Sequence, residues 1–134
     1  LVTEGLLALL RDEVEADGAT LLITVLTNGE QVHPDRAHRD RVQSLGKIDD
    51  LLLPDKRVKN VCEREGISVL ILADRMQEVA EREQIWLHGF ENTEMGRGHW
   101  NEDGHREAAR LIGDWFTTTT HRVAGTQGVI QQRH

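Results

Sequence analysis

The densest cluster of groups able to do chemistry is the run Gly98-His99-Trp100-Asn101-Glu102-Asp103-Gly104-His105. An imidazole with an ordinary pKa of about 6.5 can take a proton from a hydroxyl near neutral pH and hand it to a leaving group. His99 stands just ahead of a helix start. Asn101 is a good N-cap, because its side-chain oxygen can accept a bond from a free amide of the first turn. Glu102 and Asp103 then put negative charge where the helix dipole favours it. Ala108, Ala109, Leu111, Ile112, Trp115 and Phe116 recur at helical spacing. His99 is therefore expected on a loop anchored by a rigid helix, a common seat for catalytic side chains.

Other residues could join it. Trp100 adjoins His99 and either walls a substrate pocket or covers the helix start. Trp86 and Phe90 lie on the preceding loop and are candidates for the same wall. Gly89, Gly96 and Gly98 let that loop bend closely. His105 falls near the fourth residue of the helix and is expected to pack there rather than face the same point as His99. His33, Asp35 and His38 form a second cluster at irregular spacing. No paired ligand spacing supports a metal there or at His99, and no cofactor is expected. Cys62 lies in a helical pattern and reads as a small buried hydrophobe. Ser44 and Ser68 are the chain's two serines, one in a polar stretch and one inside a strand pattern.

The elements that must position these groups alternate in type. Helical periodicity predicts helices over 4–16, capped by Thr3, and over 54–65, with Pro54 in its first turn. Further helices are expected over 73–84 and from 102 to about 116, and residues 35–45 read as a short helix or irregular. Apolar runs over 21–26 and 67–72 read as strands buried on both faces. Residues 85–98 read as a long loop. Residues 117–134 hold a threonine run and few apolar side chains, and are expected to form a mobile or partner-bound tail. Alternating strands and helices imply an α/β domain with a parallel sheet. Two parallel strands do not make a stable sheet alone, so the chain reads as half of a domain. The open edge at 21–26 is expected to be covered by a missing N-terminal segment or a second copy.

The 134 residues suffice for one small domain, and 38% apolar with 29% charged residues is ordinary for a globular chain. Sixteen basic against 23 acidic residues give a net charge of −7, which argues against a nucleic-acid partner. No apolar run approaches the roughly 20 residues that span a bilayer. The single cysteine excludes an internal disulfide.

The histidine block, with His99, Asn101, Gly104 and His105 followed by an Ala-containing helix, resembles the last conserved block of the GDSL/SGNH hydrolases. The resemblance implies a partial flavodoxin-like three-layer sandwich over 1–116, with 21–26 and 67–72 as late parallel strands. It implies a carboxylic-ester hydrolase or acyl transferase in which His99 is the general base of a serine nucleophile. Small acyl esters or acylated sugars would be the substrates. In that family the serine lies in an early Gly-Asp-Ser type motif, which neither Ser44 nor Ser68 matches, so the nucleophile and the oxyanion donors are expected outside this chain. The family's aspartate just upstream of the histidine falls on Gly96 and Arg97, leaving Glu94 as a candidate orienting acid. The alternative is a non-catalytic α/β binding or scaffold module that has lost the chemistry.

Overall fold

The computed structural model of the chain describes residues 2–127. Among them are five helices and two strands: α1 (Val2–Ala16), β1 (Leu22–Val25), α2 (Arg36–Gly46), α3 (Leu53–Arg64), β2 (Ser68–Ile71), α4 (Ala73–Glu83) and α5 (Glu102–Gln127). β1 and β2 pair in parallel, with Leu22 opposite Ser68 and Val25 opposite Ile71. The fold is therefore mixed α/β, as the alternation of patterns implies.

Local chemistry sets most boundaries. Asp35 caps α2 by accepting from the Ala37 amide at 2.8 Å. Pro54 occupies the first turn of α3 and needs no amide partner there. Two boundaries differ from expectation. α1 already begins at Val2, so Thr3 lies inside its first turn rather than capping it. α5 does not stop at Phe116. Thr117 and Thr118 bond back to the carbonyls of Gly113 and Asp114, at 2.9 and 2.8 Å, and stay within the helix. The rest of the expected tail, 128–134, lies outside the described residues.

Val32, Leu72, Met76, Ala80, Leu87 and Ala108 form the central buried cluster, with Leu70, Trp100, Leu111 and Ile112 packed against it. It joins α4, α5 and one face of the sheet. α3 covers the other face, where Cys62 and Ile67 are buried. Burial pushes the Cys62 thiol up, which keeps it protonated and supports its reading as a small hydrophobe. The strands are less buried than their composition implies: every residue of β1 and β2 is half-buried. Only two strands share the sheet among the described residues, so each has an edge without a strand neighbour. α1 does not close the gap. Its Leu6, Leu9 and Leu10 are exposed, and polar contacts from Arg11 to Glu65 and from Arg64 to Glu4 link it to α3 and the turn after it. No helix of the described residues is long and apolar enough to cross a membrane.

A buried polar hub ties the loop after β1 to α3 and α4. The Gln31 amide nitrogen donates to the Leu51 carbonyl at 3.1 Å and to Asp55 at 2.5 Å. Gln77 donates to the Gln31 carbonyl at 2.6 Å. Burial raises the Asp55 pKa, and its second carboxyl oxygen has no hydrogen-bond partner. Arg39, also buried, reaches from α2 to the His33 carbonyl and to Glu81 of α4 at 2.6 Å from the latter.

Two glycines of α5 separate helix propensity from packing. A Cβ on Gly104 would lie 2.1 Å from the Leu87 carbonyl oxygen, whereas one on Gly113 would meet nothing within 4 Å. Alanine gains up to about 1 kcal/mol over glycine in a helix interior. Gly113→Ala should therefore raise the urea unfolding midpoint. Gly104→Ala should lower it, because the backbone clash costs about 1–3 kcal/mol and exceeds that gain. Equal shifts in the two variants would show that α5 does not press on the Leu87 backbone.

Candidate functional site

The segment after α4 turns back on itself. His88 and Trp100 form an antiparallel bridge, and the residues between them make a closed loop. Gly96 is pressed against neighbours on two sides. With φ at 87°, its missing Cβ would lie 2.5 Å from the Trp86 ring. Its carbonyl oxygen would lie 1.6 Å from a Cβ on Gly29. Only glycine at both positions lets the loop after β1 and the histidine loop meet this closely.

Asn101 anchors the C-terminal side of that loop. Its side-chain oxygen accepts the Gly104 amide at 3.0 Å, as the N-cap pattern predicts. Its side-chain nitrogen also donates to the Trp86 carbonyl at 2.7 Å, and its backbone amide donates to Leu87 at 3.1 Å. One residue thus caps α5 and pins it to the segment leaving α4.

A buried imidazole holds the other side. His88 is 3% exposed, with Nδ1 at 2.8 Å from the Gly98 carbonyl oxygen and Nε2 at 2.9 Å from Thr27 Oγ1. A carbonyl can only accept, so Nδ1 carries the proton. Burial lowers the His88 pKa, more than the Gly98 carbonyl raises it, so the ring is neutral near pH 7 and Nε2 is bare. Thr27 must then donate its hydroxyl proton to Nε2. That leaves its oxygen free to accept the Trp100 indole N–H at 2.8 Å. The chain runs from indole to hydroxyl to imidazole to carbonyl with each donor used.

His99 sits between the ends of this chain and is itself exposed. Its own carbonyl accepts the Gly89 amide at 3.0 Å. Among the described residues its ring makes no hydrogen bond or ion pair. An open cavity of about 340 Å³ is lined by Leu26, Thr27, His88, Gly98, His99, Trp100 and His105. It lies at the C-terminal end of β1, where parallel sheets commonly bind ligands.

The structure brings His99 and Trp100 together at this cavity. It adds His105, contrary to the expectation that His105 faces elsewhere. The His105 ring stands edge-on to Trp100 at 5.6 Å, so the first turn of α5 reaches the cavity that the preceding loop forms. Trp86 and Phe90 do not line it. The Trp86 ring lies under Gly96 and edge-on to His33 at 4.5 Å, and Phe90 is half-exposed where its amide meets Thr93. Glu94 is exposed and lies 3.3 Å from the Arg97 guanidinium. Ser44 donates to the Asp40 carbonyl at 2.9 Å, and Ser68 opens β2.

Thr27 and His88 carry much of this geometry, and the sequence pattern does not single them out. Two signals were available. Thr27 directly follows the first strand run, and His88 is a polar ring closing the apolar stretch Ile85-Trp86-Leu87.

The second histidine cluster is bonded within itself. The His33 and His38 rings stack at 3.8 Å, His38 donates to Glu30 at 2.7 Å, and His33 Nδ1 accepts the Asp35 amide at 3.0 Å. Burial, and then the neighbouring His38, lower the His33 pKa. Among the described residues no group of three or more His, Cys, Asp or Glu side chains could hold a metal ion.

No family model, curated protein or solved structure matches the chain.

The two lowered imidazoles make stability depend on pH. In the unfolded chain each titrates near 6.5, so below that pH the unfolded state binds more protons than the folded one. The stabilisation is complete above the unfolded value and is lost as pH falls through it toward the folded values. Urea unfolding should show a midpoint that drops between pH 7.5 and pH 5.5. His88→Asn should flatten that drop. An identical slope in the variant would mean that His88 is not held neutral.

Proposed function

We propose that the chain is the C-terminal portion of an SGNH-type serine ester hydrolase or acyl transferase, with His99 as its general base. One observation carries this reading. The His99 ring stands exposed at a cavity while the peptide groups on both sides of it are hydrogen-bonded in place. A base must reach its proton donor from a defined position, and a loop built this way fixes the backbone from which the ring reaches out.

In this reading β1 and β2 are the fourth and fifth strands of a flavodoxin-like three-layer sheet. The remaining strands lie along the open edge of β1, carried by a segment outside this chain. The serine comes from that segment too. Ser68 pairs with Leu22, at the start of β1, while the cavity begins at Leu26. Four residues of strand separate them by about 13 Å, too far for proton transfer.

His99 would take the serine proton as the hydroxyl attacks an ester carbonyl. It would then protonate the departing alcohol, and water would repeat the cycle on the acyl-enzyme. Oxyanion donors come from outside the chain. A second groove of about 520 Å³ shares Gly98 with the first cavity and has a wall of Val42, Ile48, Leu51, Leu53 and Pro54. Such a wall suits the acyl part of a small ester or acylated sugar.

The second reading, a binding module without chemistry, is favoured by the lack of a carboxylate at Gly96 and Arg97 and by the pairing of Glu94 with Arg97. Turnover separates the two. The 134-residue chain alone should not hydrolyse a short-chain aryl ester. The protein that also carries the serine-bearing segment should do so, and His99→Ala there should cut kcat/KM by at least about 100-fold. Unchanged turnover in that variant would reject His99 as the base and favour the module.

A further inference from the structure

We propose that His88 is the positioning residue that fixes the backbone carrying His99, where no carboxylate partner holds the ring. The inference rests on the reading of His99 as the base and names what holds it in place.

A carboxylate behind a catalytic histidine fixes the ring's orientation through a side-chain bond. Here no carboxylate bonds to the His99 ring among the described residues, and the nearest upstream acid, Glu94, faces Arg97. The restraint acts one step earlier, on the backbone. The Gly98 carbonyl belongs to the peptide group that enters His99, and His88 Nδ1–H binds it at 2.8 Å. The His99 carbonyl belongs to the peptide group that leaves, and the Gly89 amide, next to His88, binds it at 3.0 Å. With both groups held, the direction of the His99 Cα–Cβ bond is set and only the two side-chain torsions remain free.

Gly98 makes this restraint necessary. Its φ is 79°, and a Cβ there would meet nothing within 4 Å, so packing does not hold the residue. A glycine without packing has the widest backbone freedom of any residue. The bond from His88 removes that freedom at the residue before the base. Thr27 completes the device by binding Nε2, which keeps the proton on Nδ1, and by holding Trp100 on the far side of His99.

The two nitrogens of His88 can be tested apart. Asparagine places an amide N–H near the position of Nδ1 and can keep the bond to Gly98. Glutamine reaches the position of Nε2 and keeps only the contact with Thr27. The readout is the ¹⁵N order parameter of the His99 amide in the 134-residue chain, which does not depend on turnover. In the parent chain it should be near the rigid value of about 0.85. His88→Gln should lower it below about 0.6 while α4 and α5 stay ordered, and His88→Asn should restore it. Equal order in the two variants, or a His99 amide that is already loose in the parent, would overturn the proposal. If His88→Gln fails to fold, the parent still decides. Its His88 ring should show ¹⁵N shifts of a neutral Nδ1–H tautomer, and an Nε2–H tautomer would overturn the proposal. Unchanged turnover in His99→Ala of the protein that carries the serine-bearing segment would sink His99 as the base and leave these results standing, so the two failures are distinguishable.

Discussion

The hydrogen-bond chain Trp100–Thr27–His88–Gly98 is the interaction on which the site depends. It joins the end of β1, the segment after α4 and the residues on either side of His99. Leu87 and Trp100 anchor this region on the core, but residues 90–95 and 97–99 are exposed, so burial alone does not hold the loop between them. A buried polar chain is costly when any member lacks a partner and specific when all have one. This chain closes in one tautomer only, which is why it can select one loop conformation.

A second constraint works against the first. β1 and β2 carry strand sequences made for burial on both faces, yet their residues stay half-buried and α1 turns leucines outward. Hydrophobic burial at roughly 25 cal/mol per Å² is therefore left unrealised along the sheet. The loop after β1 is instead held by polar hubs, Gln31 with Asp55 and Arg39 with Glu81. This balance fits the proposal that another segment completes the sheet while the histidine end is already organised.

The sequence made some features legible and hid others for physical reasons. The two strands, α1, α3, α4, the start of α5 and the Asn101 cap follow from local periodicity and side-chain chemistry, and these boundaries match within a few residues, whereas 35–45 read as a helix or irregular and folds as α2. The extent of α5 was hidden because threonines are weak helix formers, yet they can bond back to the preceding turn. The placement of His99 beside Trp100 was legible, since neighbours in sequence share a loop. The roles of Thr27 and His88 were not. Sixty-one residues separate them, and only the folded chain brings their side chains to 2.9 Å. Trp86 shows the converse. An aromatic ring on a glycine-rich loop looks like a pocket wall, yet here it forms the floor under Gly96, because glycine leaves room for it.

A fixed backbone, an exposed ring and a cavity together support the proposal that His99 deprotonates a serine supplied by another segment. A crystal structure of the protein that also carries the serine-bearing segment, after reaction with an alkyl phosphonate ester, tests this most directly. The account predicts phosphorus on a serine from outside these 134 residues, with a His99 ring nitrogen about 3 Å from that serine's oxygen. Phosphorus on a serine attended by another base, with the His99 ring turned to solvent, would contradict it.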